Sequence, residues 1–265
     1  MTRKTALSAA WPIFLALLAA QLWAAHALVF FTHEYAHAFT AWLLGWKTNP
    51  LDLNYARPTL IVLLLQFGID QNVNEVPIFA SGHGIDAAII AAAGALFGNG
   101  LIALPLSRLG YRVALKYGRS GWALFAYWCT VASVGNFLDY VPIRTFTLEG
   151  DMGSVERGFG WSPWVVLIIF GLPTLAALVW LFLRVVPQTL RQLFPASLSK
   201  QALVAVVTVG VMFGFFGAVG LLEGGPVAHR LSMLSVSVVL PLAIVAALFG
   251  VYRLPVRSGA AATLR

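Results

Sequence analysis

The sequence predicts an all-α, multi-pass membrane protein of about six transmembrane helices, with a short interfacial β-hairpin or re-entrant segment after the first. Three observations predict it. Of 265 residues, 60% are apolar and only 10% are Asp, Glu, Lys or Arg, against about 25% charged in an average soluble domain. The mean hydropathy is +0.84. Apolar runs of about 20 residues, the length that a hydrocarbon core of about 30 Å demands, recur from end to end. A water-soluble globule, a disordered chain and a disulfide scaffold are excluded, since the single Cys129 has no partner for an internal bridge.

The first run extends from Ala9 into the forties, longer than one crossing needs. Thr2-Arg3-Lys4 and Ala25-His26-Ala27 imitate a cleaved signal peptide, but the run continues through Phe31, so the segment is expected to be retained. The second run covers Ile85 to Leu106, the third Gly121 to Ile143 and the fourth Trp164 to Leu183; Ala202 to Leu222 and Leu231 to Tyr252 complete the set. Between the first two, Asn49-Pro50, Arg57-Pro58 and Ser81-Gly82 punctuate a different kind of segment. Its apolar stretch, Thr59 to Leu65, is too short to span, and its aliphatic, β-branched content predicts a strand.

The net charge of +7 sits mostly at the edges of apolar runs. That pattern predicts a lipid bilayer as partner rather than nucleic acid. Arg3 and Lys4, then Arg108, Arg112, Lys116 and Arg119, then Arg184, Arg191 and Lys200, and finally Arg253, Arg257 and Arg265 fall on one side. The alternate loops hold Asp52, Asp70, Glu75, Glu149, Asp151, Glu156 and Glu223. This asymmetry predicts a cell-membrane protein with both termini in the cytoplasm.

The chemistry concentrates in Thr32-His33-Glu34-Tyr35-Ala36-His37. Four residues make about one helical turn, so His33 and His37 share a face and can hold one metal ion through imidazole nitrogens. Glu34 lies beside that face, where its carboxylate can take a proton from a metal-bound water. Zinc accepts His and carboxylate ligands, and its catalytic sites use three protein ligands and a water. The pattern arises by shuffling this composition only about once or twice in a thousand times. Ionisable groups inside an apolar run are costly, which makes function the default reading.

The third ligand has two candidates. Counted along straight spans, His33 lies about 36 Å and Asp139 about 30 Å from the basic side, so depth favours Asp139. A structural pairing of Asp139 with Arg144 is the alternative. Asp151 is the rival ligand: it follows Leu148-Glu149-Gly150, suits a helix start, and can be folded back by Pro142 and Gly150. Tyr140 and Arg144 stand where they can steady a tetrahedral intermediate, although an interfacial anchor explains Arg144 equally well. His26 reads as a packing residue, and His83 and His229 as loop residues.

These residues resemble the site-2 proteases, intramembrane zinc peptidases that couple His-Glu-x-x-His to a later Asn-x-x-Pro-x-x-x-Leu-Asp-Gly. His33, Glu34 and His37 match the first half; Asn136 and Pro142 are similar to the Asn and Pro of the second. Its Leu-Asp-Gly corresponds either to Leu138-Asp139-Tyr140 or to Leu148-Glu149-Gly150-Asp151. Ala91 to Asn99 is similar to the family's Gly-Pro-x-x-x-Asn region, with Ala95 in place of Pro. The resemblance implies a catalytic core over residues 1–155, with three additional helices over 156–265 in the same membrane domain. It gives Asn99 and Asn136 a place at the substrate or its oxyanion, and makes the stretch around residues 59–66 a strand that pairs with substrate. The family usually sets its zinc toward the cytosol, whereas the loop charges here set it toward the outer side.

The function expected is that of a zinc-dependent intramembrane endopeptidase acting on membrane proteins, in or near a single-span segment. A non-catalytic scaffold of the same build and a metal-containing transporter are the alternatives. Retention of Glu34 argues against the first, and the absence of paired broken helices in two similar halves argues against the second.

Overall fold

The computed structural model describes Leu7, residues 10–147 and residues 149–253. Arg3, Lys4, Ala9, Leu148, Arg257 and Arg265, on which parts of the topology and ligand readings rest, lie outside the described residues. In chain order the helices are α1 (Trp11–Leu43), α2 (Leu60–Leu65), α3 (Glu75–Ala80), α4 (Gly84–Lys116), α5 (Ser120–Leu138), α6 (Gly150–Phe159), α7 (Pro163–Leu193), α8 (Leu198–Leu221) and α9 (Gly225–Val251). Each of the six apolar runs is therefore helical. Five of them, α1, α4, α7, α8 and α9, are long and apolar enough to cross a membrane.

The sixth, α5, differs for a physical reason. It is the central helix, packed against α1, α4, α7 and α8, and 14 of its 19 residues are buried. A helix enclosed by protein can carry polar groups if neighbours satisfy them. Thr130 pairs with Ser107 of α4 at 2.9 Å, and Tyr127 with Thr208 of α8 at 2.6 Å. The flanking helices turn large apolar side chains outward, among them Ile168, Leu172 and Leu175 of α7. Such a surface suits hydrocarbon rather than water.

The expected β-hairpin is corrected by the structure. Leu60 to Leu65 form a helix, not a strand, and the described residues contain one isolated antiparallel bridge, Asn54 to Asp70, and no strand. Leucine, a good helix former, dominates the run. Thr59 caps its start by accepting from the Val62 N–H at 3.3 Å, and Gln66 ends it with φ of 57°. The segment does fold back along α1. Trp23 Nε1 donates to Leu63 O at 2.9 Å, and His26 Nδ1 lies 2.8 Å from Gln66 Oε1. Trp23 precedes the end of α1 by about 30 Å of helix, so this arm returns deep along the span with its leucines exposed.

Two irregularities position the site. Between Gly94 and Ala103, α4 widens into turns with i to i−5 hydrogen bonds, such as Leu104 N–H to Asn99 O; such turns often accompany functional sites. After α5 the chain kinks at Val141 (φ −138°, ψ 114°) beside Pro142. Gly150, at φ of +74°, then starts α6, which packs against α4. Ser154 of α6 donates to Glu75 of α3, tying the two short helices together.

The crossing of α4 and α6 leaves no room for a side chain. A Cβ on Gly158 would sit 2.1 Å from Gly84 O and 2.6 Å from Ala88 Cβ. Backbone cannot swing aside as a long side chain can. Gly158→Ala is therefore expected to destabilise the fold by about 1–3 kcal/mol, read as a lower midpoint in a thermal melt. An unchanged midpoint would mean that the helices do not cross so closely.

Candidate metal centre

His33 and His37 occupy one face of α1, and both are almost fully buried, at 2% and 1% exposure. Their Nε2 atoms stand 2.9 Å apart. Asp151, in the first turn of α6, brings Oδ2 to 3.4 Å from the first and 3.3 Å from the second. Zinc ligands at about 2.0–2.1 Å in a tetrahedron lie about 3.3–3.4 Å from one another. The Asp151 distances match that edge, and the imidazole pair is slightly tighter. Among the described residues this is the one group of His, Cys, Asp and Glu whose ligand atoms converge in this way.

Three further observations fit a cation. Two imidazole lone pairs facing each other at 2.9 Å repel unless a proton or a metal lies between them. The space beside them is kept clear by Gly94, where a Cβ would fall 2.2 Å from His37 Nε2 and 2.4 Å from His33 Nε2. The orienting hydrogen bonds are also present. His37 Nδ1 donates to Ile90 O at 2.6 Å, which leaves the Nε2 lone pair for a metal. His33 Nδ1 faces the Asn99 side-chain amide at 3.2 Å, and Asn99 Oδ1 is buried without a partner. A half-turn of that amide pairs Oδ1 with His33 Nδ1–H and frees Nε2 in the same way.

The packing that makes this possible comes from small residues. A Cβ on Gly98 would fall 2.8 Å from Thr32 O and 2.9 Å from His33 Cα, so α4 approaches the α1 backbone at the motif itself. Asp151 gains from standing in the first turn of a helix, where the dipole favours negative charge. Burial opposes ionisation of its carboxyl, but His37 and His33 outweigh burial and hold it well below the usual carboxylate range.

Glu34 is 7% exposed, and its Oε2 is buried with no hydrogen-bond partner. An unpaired carboxylate oxygen is costly unless something occupies it in the working state.

The other sequence candidates fall elsewhere. Asp139 binds Arg144 Nη2 at 2.7 Å, while Arg144 Nη1 reaches Glu223 at 2.9 Å. The structure thus brings Asp151, and not Asp139, to the two histidines. Asn99 lies behind His33, and Asn136 donates to Ala132 O of its own helix at 3.3 Å. The Ile90 carbonyl went unread because a backbone atom leaves no signature in composition.

Two cavities adjoin at Tyr140 and Met152, and Asp151 lines the first of them. One of about 530 Å³, partly polar, passes Tyr140, Arg144, Glu149, Asp151 and Glu223. The other, apolar and of about 610 Å³, passes Ala95, Leu101, Phe137, Met152 and Phe170. Tyr140 and Met152 stand in the wall of both.

Removing the support behind one ligand isolates its contribution. If this centre holds zinc, Asn99→Ala is expected to weaken the binding by about 10–100-fold, the usual effect of losing an orienting partner. Competition titration with a zinc chelator reads the change; equal affinity would detach Asn99 from the centre.

No family model, no curated protein and no solved structure matches the chain.

Proposed function

We propose that this chain is a zinc-dependent intramembrane endopeptidase, cleaving peptide bonds in or near the transmembrane segments of other membrane proteins. The observation that carries the reading is the convergence of His33, His37 and Asp151 within a helix-rich, apolar body, with the unpartnered Glu34 oxygen next to the first histidine in sequence. His33, His37 and Asp151 would hold the ion. When bound, zinc supplies a water acidic enough to act as a nucleophile near neutral pH and an electrophile for a carbonyl oxygen.

The chain's own residues supply the rest. Glu34 Oε2 accepts a proton from the attacking water and returns it to the departing amide nitrogen. Asp151 and the two imidazoles fix the geometry from two separate helices. The partly polar cavity gives water a path inward, and the apolar cavity gives a membrane-embedded chain a surface of its own character. In this reading α5 joins the five longer helices as a sixth crossing, with both termini in the cytoplasm and the protein in the cell membrane.

The experiment uses the full chain in nanodiscs. Elemental analysis should find about one zinc per chain, given three protein ligands on one ion. A panel of single-span membrane peptides should contain some that are cut, with cleavage abolished by chelation and restored by zinc. Protein free of any divalent ion, or cleavage indifferent to chelation, removes the reading.

A further inference from the structure

We propose that Tyr140 is a catalytic residue of this centre, donating its phenolic hydrogen bond to the substrate carbonyl oxygen as that oxygen becomes negative. The proposal rests on the peptidase reading and adds to it the group that receives the developing charge.

The geometry is specific. Tyr140 OH lies 2.8 Å from His33 Nε2, the same nitrogen that faces Asp151 and His37. The ring lies nearly parallel to His33, with centroids 5.0 Å apart and planes at 14°. The Arg144 guanidinium also lies over the ring, 4.3 Å from the centroid, anchored by Asp139 and Glu223. The phenol ring thus contacts both an imidazole and a cation that two carboxylates hold in place. Thr145 Oγ1 also donates to Tyr140 O at 3.3 Å, fixing the backbone just before the kink at Val141.

The hydrogen bond itself points to the role. His33 Nε2 can accept from the phenol only through its lone pair, and that lone pair is what a metal requires. A cation that takes it deprives the phenol of its acceptor. The O–H then needs another oxygen beside the ion, in a site only 9% exposed at Tyr140. A carbonyl entering from the apolar cavity meets Tyr140, which lines both that cavity and the partly polar one. Buried donors aimed at a developing oxyanion are worth about 10²–10³ in kcat each.

The step balances without any other reagent. Water oxygen bonds to the carbonyl carbon as its proton passes to Glu34, and the carbonyl π pair moves onto oxygen, where Tyr140 O–H stabilises it. When that pair returns, the C–N bond breaks and nitrogen takes the proton from Glu34. One water is consumed, and one carboxyl and one amine appear.

The test compares parent and Tyr140→Phe, full-length in nanodiscs, by three readouts. Zinc affinity should be unchanged, because the phenol is not a ligand. Binding of a phosphinic peptide with apolar flanks, whose tetrahedral oxyanion imitates the charged state, should weaken about 10²-fold, and kcat should fall about 10²–10³-fold with KM nearly constant. Loss of zinc in Tyr140→Phe would make the phenol a ligand and overturn the proposal. Undiminished binding of the phosphinic peptide would overturn it too, leaving the peptidase reading standing. If the parent neither binds this peptide nor cuts any substrate, the peptidase reading itself fails.

Discussion

On the proposed peptidase reading, Glu34→Gln is expected to retain zinc and lose cleavage by about 10²–10⁴-fold, the range assigned to a positioned proton carrier. The substitution preserves size, so the packing of α1 against α4 around His33 and Gly98 should survive. An amide cannot accept the proton that attack releases, nor return it to the leaving nitrogen. Since Glu34 Oε2 has no partner to lose, the change breaks no existing hydrogen bond at that atom. Zinc content by elemental analysis and cleavage by mass spectrometry separate the two effects. Cleavage at the parental rate would assign the proton transfer elsewhere.

Asp151→Ala and Asp139→Ala should part company completely. Removing Asp151 takes away the carboxylate 3.3–3.4 Å from both imidazoles. The fall in zinc affinity should exceed the about 10–100-fold that the loss of an outer partner causes, and activity should vanish with the ion. Asp139→Ala should retain zinc, because its carboxylate engages Arg144 instead. Breaking a buried pair costs about 3–5 kcal/mol when the survivor has no other partner. Arg144 keeps Glu223, so the lower end of that range is expected. The signature is a metal-loaded, less stable Asp139→Ala against a metal-free Asp151→Ala. Zinc loss in Asp139→Ala alone would reverse the assignment.

The third ligand shows where sequence reasoning reaches and where it stops. The His33–His37 pair was legible because one helical turn fixes their relation, whatever the rest of the chain does. Asp139 was favoured on depth measured along straight spans. The kink at Val141 and the turn at Gly150 invalidate that ruler, since they send the chain back so that α6 presents Asp151. Pro142 and Gly150 were visible as breakers, but breakers give no direction of turn.

The six apolar runs were legible to within several residues at most helix ends, because a long uninterrupted apolar run favours a helix over a strand. Leu60 to Leu65 was misread for want of any such external ruler. Six aliphatic residues suit a strand or a helix equally, and the decision fell to the Thr59 cap and to the anchorage by Trp23 and His26. Asn99 stands out in the Ala91–Asn99 stretch and is expected at the substrate or its oxyanion, whereas the wide turns of α4 set its amide against His33 Nδ1.

Glu223 comes from the far end of the chain, between α8 and α9, and yet it forms part of the same wall as Tyr140 and Asp151. The motif-bearing half therefore cannot be lifted out as a module. A cut after residue 155 would divide α6, strip one jamb from the doorway, and leave the polar flank of α5 facing lipid without Thr208. All three of the last helices pack against the Asp139–Ile143 segment that carries Tyr140.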